Sequence, residues 1–260
     1  MLIDLSIDPQ KTVEEITNFI KNTIHSAGFS KLVVALSGGL DSATSTTLAV
    51  AAQGADNIHF ALYPYGKLYE EGLKDAHLLL KRLSIASSNL HEVDIKPLVD
   101  PIIALDSSAD KLRKGNIMVR MRMILLYDLA KKYNALVLGT ENKTEHLLGY
   151  FTRFGDEASD IEPIRSLYKT QVRQLATYLK IPNEIIDKAP TAGMWLGQTD
   201  EGEFGFTYEQ ADQVLHLYID QKMSREEIKK EGFDPRAIEK VIARLETNKF
   251  KHKLPYILLG

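Results

Sequence analysis

Two kinds of segment alternate over the first 140 residues or so of the chain. Short apolar runs rich in β-branched residues are typical of strands that are buried on both faces. Such runs occupy residues 31–36, 58–63, 90–95 and 135–139. Between them, apolar spacing, end-capping residues and alanine-rich composition predict helices. These helices run from Asp8-Pro9 to Gly28, over 42–53, 70–83 and 115–133, and from about residue 141.

This alternation predicts the fold class. Parallel strands need crossover connections, so the pattern indicates an α/β fold with a doubly wound parallel sheet. From about Lys169 onward the pattern is mainly helical, with predicted helices at 169–180, 207–221, 224–231 and 234–248. Residues 189–206 are rich in Gly, Thr and acidic side chains, and they form a candidate mobile loop. Without a repeat or a linker, residues 1–260 are expected to be a single domain with a helical C-terminal portion.

A glycine-containing hexapeptide, SGGLDS at residues 37–42, connects the first predicted strand to its helix. Glycines there let backbone N–H groups approach an anion, and the positive end of the helix adds to the attraction. The loop also lies beyond the carboxyl end of a strand, where doubly wound sheets bind their ligands. No lysine follows the glycines as a Walker A loop requires, and a G-x-G-x-x-G pattern is absent. The alternative is a tight turn without a ligand.

Composition excludes several classes of function. The formal net charge of −3 and the pI of about 6.2 argue against general binding of nucleic acid or anionic membranes. The absence of cysteine excludes disulfides, iron–sulfur clusters, cysteine zinc sites and a cysteine nucleophile. No apolar run is long enough to span a membrane, and the N-terminus lacks the layout of a signal peptide. A cytoplasmic location is therefore expected.

The glycine loop resembles the SGGxDS loop of the N-type ATP pyrophosphatases. Four further stretches follow in order, GNIMVRMRM (115–123), LVLGTENKTEHLLGYFTRFGDEASDIEPI (136–164), LYKTQVRQLA (167–176) and APTAGMWLGQTDEGEFG (189–205). Together they are similar to the ammonia-dependent NAD synthetases, over about residues 31–255. The resemblance implies an adenine nucleotide alpha-hydrolase-like fold, a homodimer, and the substrates ATP, deamido-NAD and ammonia. It also implies Mg²⁺ as cofactor and an acyl-adenylate that forms with release of pyrophosphate and then of AMP.

The resemblance also implies roles for individual residues. Asp41 and Glu145 are the expected magnesium ligands, and Asp41 and Lys169 are expected to stabilise charge in the transition state. The expected ATP-binding residues are Ala35, Leu36, Ser37, Gly38, Gly39, Leu40, Asp41, Ser42, Thr140, Lys169 and Thr191. The expected deamido-NAD-binding residues are Arg120, Arg153, Asp160, Phe250 and Lys251.

Most of these residues have a plainer interpretation as well. Glu145 and Lys169 could be surface residues in the first turn of a helix, and Thr140 could be an ordinary N-cap. Asp160 could belong to a solvated acidic loop and Thr191 to a turn. Arg120 and Arg122 lie about 200° apart around a helix, so at least one of them must reach a pocket or an interface.

Three positions depart from the family pattern. Arg153 stands where a lysine is usual, Phe250 stands where a histidine precedes the lysine, and Leu62 or Tyr63 replaces an arginine found in some members. Two other functions remain open. Another ATP pyrophosphatase, such as a tRNA sulfur transferase or a lysidine synthase, would need a basic surface and, for sulfur chemistry, usually cysteine. A non-catalytic nucleotide sensor would not need Asp41, Glu145 and Lys169 together. The lack of cysteine also predicts free ammonia, not glutamine, as the nitrogen donor.

Overall fold

A four-stranded parallel sheet lies at the centre of the computed structural model, which describes residues 3–253, 255, 256 and 258. The strands are β1 (Lys31–Ala35), β2 (Ile58–Leu62), β3 (Leu90–Glu92) and β4 (Ala135–Leu138), and their order in the sheet is β3-β2-β1-β4. In register, Leu32 of β1 lies opposite Ile58 of β2 and Leu136 of β4. From β1 the chain adds β2 and then β3 on one side, and β4 is added on the other side of β1, as in a doubly wound sheet.

Twelve α-helices are found within the described residues. Their bounds are α1 (Pro9–Ser26), α2 (Leu40–Gln53), α3 (Glu70–Arg82), α4 (Lys96–Ile103), α5 (Lys111–Tyr133), α6 (Lys143–Leu148), α7 (Lys169–Tyr178), α8 (Asn183–Ile186), α9 (Asp200–Phe204), α10 (Tyr208–Leu215), α11 (Arg225–Lys230) and α12 (Pro235–Asn248). A π-helical turn (His216–Asp220) extends α10, and a 3-10 turn (Lys249–His252) follows α12.

Helices cover both faces of the sheet, which confirms the predicted fold class. On one face, Leu32 and Val34 pack in a core with residues of α1, α2, α3, α7 and α8. On the other face, Val33 and Val137 pack against α4 and α5. Because alternate residues of one strand are buried on opposite faces, β1 is apolar throughout its centre.

The C-terminal helices form a third apolar core beside the sheet. Leu148 of α6, Phe204 of α9 and Val214 of α10 pack in it with residues of α11 and α12. In this way α10 contacts both α6 and α7, the helices that contain Glu145 and Lys169. Over the described part of the chain, no helix is both apolar enough and long enough to cross a membrane.

Apart from α5, which begins at Lys111 and not at residue 115, the observed elements differ from the predicted ones in four main places. The strand predicted at 90–95 ends at Glu92, because the Asp94 carboxylate accepts hydrogen bonds from the backbone N–H groups of Gly66 (2.8 Å) and Lys96 (2.9 Å) and turns the chain into α4. Helix α4 was not predicted, since two prolines interrupt its short sequence. Helix α8 was also missed. The candidate loop 189–206 contains α9, whose Phe204 side chain is buried.

Candidate active site

The glycine loop connects β1 to α2, and its conformation tolerates few substitutions. Gly38 has a φ of +80°, and a Cβ there would collide with the carbonyl group of Gly72 at the start of α3. The Ser42 hydroxyl accepts the N–H of Ser37 at 3.2 Å and lies 3.0 Å from the Gly39 carbonyl oxygen. Gly39 is the N-cap of α2 and supplies no side-chain acceptor to the N–H groups of its first turn. The loop is therefore held in a shape that presents backbone donors at a helix N-terminus, as an anion site requires.

Beside this loop, the carboxylates of Asp41 and Glu145 and the ammonium group of Lys169 meet in a charged centre. Lys169 Nζ donates to Asp41 Oδ2 and lies 3.3 Å from Glu145 Oε1. The Lys169 side chain is only 5% exposed, and those of Asp41 and Glu145 are 15% and 17% exposed. Burial, together with repulsion by Asp41, raises the pKa of Glu145. Burial disfavours the Lys169 ammonium, but the attraction of Asp41 and Glu145 is larger and raises the pKa of Lys169 above its usual value.

Asn142 fixes the relative position of the two carboxylates. Its side-chain N–H group donates to Asp41 Oδ1 at 3.0 Å, and its oxygen accepts the backbone N–H of Glu145 at 2.9 Å. Asn142, and not Thr140, is therefore the N-cap of α6, which corrects the plainer interpretation of Thr140. The N-cap role of Asn142 follows from the sequence pattern Asn-x-x-Glu, which is a known helix start.

Three further residues surround the centre and were not predicted. The Tyr208 hydroxyl lies 2.9 Å from Asp200 Oδ2 and 3.3 Å from Glu145 Oε1, and the Tyr150 hydroxyl donates to Asp200 Oδ1 at 2.9 Å. Burial raises the pKa of Asp200, while Lys169 and the two hydroxyl groups act in the opposite direction. Only the QTDEGEFG stretch within 189–205 pointed to this region, and nothing in it distinguished Asp200 from its acidic neighbours.

A cavity of about 300 Å³ opens between the glycine loop, α5 and the 189–194 segment. It is lined by Glu145 and by ten of the eleven residues expected to bind ATP, namely Ala35, Leu36, Ser37, Gly39, Leu40, Asp41, Ser42, Thr140, Lys169 and Thr191. The eleventh, Gly38, packs against α3. Leu62 and Tyr63, one of which is expected to stand where some family members have an arginine, also line the cavity. The structure thus brings together residues that are up to 156 positions apart, from Ala35 to Thr191.

Three cationic residues that line the cavity, Arg122, Arg173 and Lys188, were not singled out from the sequence as ligands. Arg122 points inward and donates from Nε to the Tyr63 carbonyl oxygen at 3.0 Å, as expected for one of the two arginines of α5. Lys188 pairs with Asp75 of α3 and lies over the ring of Tyr69, 5.6 Å from its centroid. The residues around a lysine in the sequence do not show whether it lies in a cavity or on the surface. Only the structure shows that Lys188 lines the cavity.

The five residues expected to bind deamido-NAD are all described, and they lie outside the lining of this cavity. Arg120 is exposed and donates to the backbone carbonyl oxygen of Arg153 at 3.1 and 3.2 Å. The Arg153 guanidinium lies over the Phe250 ring, 5.6 Å from its centroid. Lys251 Nζ donates to the carbonyl oxygens of Gly149 (2.6 Å) and Phe151 (2.9 Å). Arg120, Arg153 and Phe250 thus form one cluster on the outer side of α5.

Asp160 lies elsewhere, beside the edge strand. Its carboxylate accepts the backbone N–H of Val137 at 2.7 Å, and its own N–H donates to the Val137 carbonyl oxygen at 2.9 Å. Asp160 is therefore bonded to β4 through both its side chain and its backbone.

The residues at the centre fit a magnesium ion. Asp41 and Glu145 already turn their carboxylates toward one cationic group, the Lys169 ammonium. Among the described residues, no cluster of three or more His, Cys, Asp or Glu side chains is arranged to hold a metal by itself. Magnesium commonly uses one or two carboxylates and completes its octahedral shell with water and substrate phosphates, so two oxygen ligands beside an anion site suit it.

Comparisons with known proteins agree with these features. A sequence model described as NAD synthase matches residues 12–255. A protein of Chlorobium phaeovibrioides named NH(3)-dependent NAD(+) synthetase is 44% identical, over 98% of this chain and 91% of its own length. One of the same name from Fusobacterium nucleatum is 40% identical, over 97% of both chains.

Solved structures are similar over nearly the whole chain as well. An NH3-dependent NAD synthetase from Campylobacter jejuni, in complex with a nitrate ion, has a TM-score of 0.83 and 32% identity, and the match covers 97% of this chain and all of that one. A structure described as NMN synthetase from Francisella tularensis has a TM-score of 0.85 and 33% identity, with coverage of 97% and 99%.

Proposed function

The chain belongs to the NAD synthase family, and from that premise we propose that it amidates deamido-NAD to NAD with ATP and ammonia, through an acyl-adenylate. The observation that supports this most directly is the meeting of Asp41, Glu145 and Lys169 beside the glycine loop. A nucleotide sensor would need the loop, but it would gain nothing from two buried carboxylates that a single lysine only partly neutralises.

In the first step, a carboxylate oxygen of the nicotinate group attacks the α-phosphorus of ATP. The new O–P bond forms as the bond from the α-phosphorus to the bridging oxygen breaks, and pyrophosphate leaves with that electron pair. The glycine loop and the N-terminus of α2 bind the departing pyrophosphate. Lys169 neutralises charge that develops on the phosphate oxygens, because its ammonium is largely buried and is positioned by Asp41 and Glu145.

In the second step, ammonia attacks the acyl carbon of the adenylate. The C–N bond forms, the bond from that carbon to the phosphate oxygen breaks, and AMP leaves while the nitrogen loses a proton. Asp41 and Glu145 would hold Mg²⁺, which when bound supplies positive charge to the phosphate oxygens. Thr140 and Thr191, which both line the cavity, would contact ATP.

The deamido-NAD site is proposed to form between two copies of the chain. Arg120, Arg153 and Phe250 are together on the outer side of α5, away from the ATP cavity of the same copy. A partner subunit in a symmetric dimer could present this cluster to the neighbouring cavity. Lys251 and Asp160 are retained as proposed contacts of the same substrate.

Isotope transfer tests the activity and its mechanism together. The purified chain is given ATP, Mg²⁺, ammonium and deamido-NAD labelled with ¹⁸O in the nicotinate carboxylate. An acyl-adenylate requires NAD, pyrophosphate and AMP containing one ¹⁸O. Label in inorganic phosphate with formation of ADP would show an acyl phosphate instead, and the absence of NAD would refute the proposal. Since the Francisella relative is described as an NMN synthetase, a parallel reaction uses the acid form of NMN, and preference for it would change the assigned substrate.

Mixed dimers test the shared site. Asp41→Asn and Arg120→Ala variants, each nearly inactive alone, are unfolded together and refolded. If each site combines Asp41 of one copy with Arg120 of the other, half of the sites in mixed dimers are intact, and about a quarter of the activity returns. If both residues serve the same site within one copy, no mixed dimer has an intact site and activity stays low.

A further inference from the structure

Asp212 of α10 is a fully buried carboxylate that lies outside the cavity lining. Its Oδ1 accepts a hydrogen bond from the Thr144 hydroxyl at 2.5 Å, and its Oδ2 accepts one from the backbone N–H of Thr170 at 2.8 Å. The Thr144 hydroxyl oxygen in turn accepts the backbone N–H of Lys169 at 2.9 Å. One side chain thus bonds to the first turn of α7 both directly and through a residue of α6.

These contacts have a clear physical reason. The first N–H groups of a helix have no partner within the helix, and they must find one if they are buried. The N-terminus of α7 is buried, and a carboxylate also interacts favourably with the positive end of the helix. Burial raises the pKa of Asp212 to about 6, while the hydrogen bonds from Thr144 and Thr170 act in the opposite direction. The group is therefore mainly ionised at neutral pH.

Each residue that Asp212 holds is next to a residue of the charged centre. Thr144 directly precedes Glu145, and Thr170 directly follows Lys169. The 3.3 Å separation of Lys169 Nζ and Glu145 Oε1 depends on how the first turns of α6 and α7 are placed relative to one another. Tyr208 lies four residues before Asp212, on the same face of α10, and its hydroxyl is 3.3 Å from Glu145 Oε1.

We infer that Asp212 is a positioning residue for the reaction: its buried carboxylate joins the first turns of α6 and α7 and thereby holds Glu145 opposite Lys169. The inference rests on the proposed function, since it assigns Asp212 to the site of that reaction. Asp212 acts through Thr144 and Thr170 and touches no substrate. A displacement of about 1 Å at a catalytic group can reduce a rate about a hundredfold, so loss of these bonds should be visible in kcat.

Asp212→Asn is the test variant because it keeps the volume and removes the charge. If the new amide N–H group faces the Thr170 N–H, that bond is lost, and if it faces Thr144, the hydroxyl must accept where it now donates. In either orientation the charge-assisted bonds to the carboxylate are lost. We expect kcat at saturating substrates to fall about 10- to 100-fold, with a higher Mg²⁺ concentration needed for half-maximal rate. The KM for deamido-NAD should stay within about twofold, because none of its proposed contacts lies on α6, α7 or α10.

Val241→Ala is the matched control. Val241 is a buried apolar residue of α12 in the same helical core, so the variant loses stability without losing a polar bond to α6 or α7. Assays are run where both variants are folded, as shown by thermal unfolding. Thr144→Val should lose more activity than Thr144→Ser, which keeps the hydroxyl. The inference is overturned if Asp212→Asn keeps kcat within twofold of the original, or if Val241→Ala, equally destabilised, loses as much activity.

Binding of Mg²⁺–ATP, measured by calorimetry, separates this inference from the proposed function. If the original chain binds Mg²⁺–ATP but makes no NAD, the proposed function fails. Weaker binding by Asp212→Asn than by Val241→Ala would still support the positioning role. In that same case, where no turnover can be measured, equal binding by the two variants would contradict it.

Discussion

Removing Lys169 should destabilise the protein far more than removing one of the carboxylates that it contacts. In Lys169→Met, the apolar stem is kept while Asp41 and Glu145 are left buried without a cation. At 3.3 Å, one such pair attracts by about 5 kcal/mol in an effective dielectric constant of about 20, and the desolvation of the ammonium offsets part of this. Breaking a buried ion pair by removing one partner typically costs about 3–5 kcal/mol, and we expect that loss in the free energy of unfolding.

Asp41→Asn leaves the Lys169 ammonium in direct contact with Glu145, with the Asp200 carboxylate nearby. The variant loses one attraction but also relieves the repulsion between the two carboxylates, so its stability should change by only about 1 kcal/mol. Its kcat should nevertheless fall about a hundredfold or more, because a proposed magnesium ligand is gone. This variant is thus expected to lose most of its activity but little of its stability.

Urea unfolding in EDTA, extrapolated linearly to water, measures both stabilities. Added Mg²⁺ should raise the stability of Lys169→Met more than that of the unaltered protein, since the unpaired carboxylates then bind the ion only in the folded state. The reasoning is refuted if Lys169→Met is as stable as the unaltered protein, or if Asp41→Asn loses at least as much stability as Lys169→Met.

Three further predictions concern the loops, the nitrogen donor and acid stability. Bound ATP together with deamido-NAD should protect the loops 151–160 and 196–206 from limited proteolysis, because closure would keep water from the adenylate; equal cleavage with and without both ligands would contradict this. Ammonium and not glutamine should support turnover, and at subsaturating ammonium the rate should rise with pH because only neutral NH₃ has a lone pair to attack; glutamine-supported turnover of ammonium-free samples would overturn the assignment. Burial beside His91 lowers the pKa of His59 in the folded chain to about 4. As the pH falls below 6.5, the unfolded chain therefore binds a proton at this residue, whereas the folded chain does not. The protein should therefore lose about 1–2 kcal/mol between pH 7 and pH 5, and His59→Phe, which keeps a ring against Tyr133, should lose less over the same range in thermal unfolding.

The amino-acid pattern alone determined the sheet and most of the helices, because their periods are properties of neighbouring residues. The strands β1, β2 and β4 and the helices α1, α3 and α12 begin and end within a residue or two of their predicted bounds. The glycine loop was recognisable for the same reason, since its residue types and its place between strand and helix are local features. Short elements were less predictable, as α4 and α9 show, because tertiary contacts stabilise them more than their own sequences do.

Only the tertiary structure decided which polar side chains surround the charged centre. Asp200, Tyr208 and Asp212 look like many other polar residues of amphipathic helices, and they are functional candidates only because the C-terminal helices pack against α6 and α7. The phase of α5 likewise turns Arg122 into the cavity and leaves Arg120 on the outer side. The helical period brings residues three or four positions apart onto one face of a helix. The packing of one helix on another brings together residues that are far apart in the sequence, such as Thr144 and Asp212, which are 68 positions apart. No local pattern contains that information, because it depends on how whole apolar faces fit together.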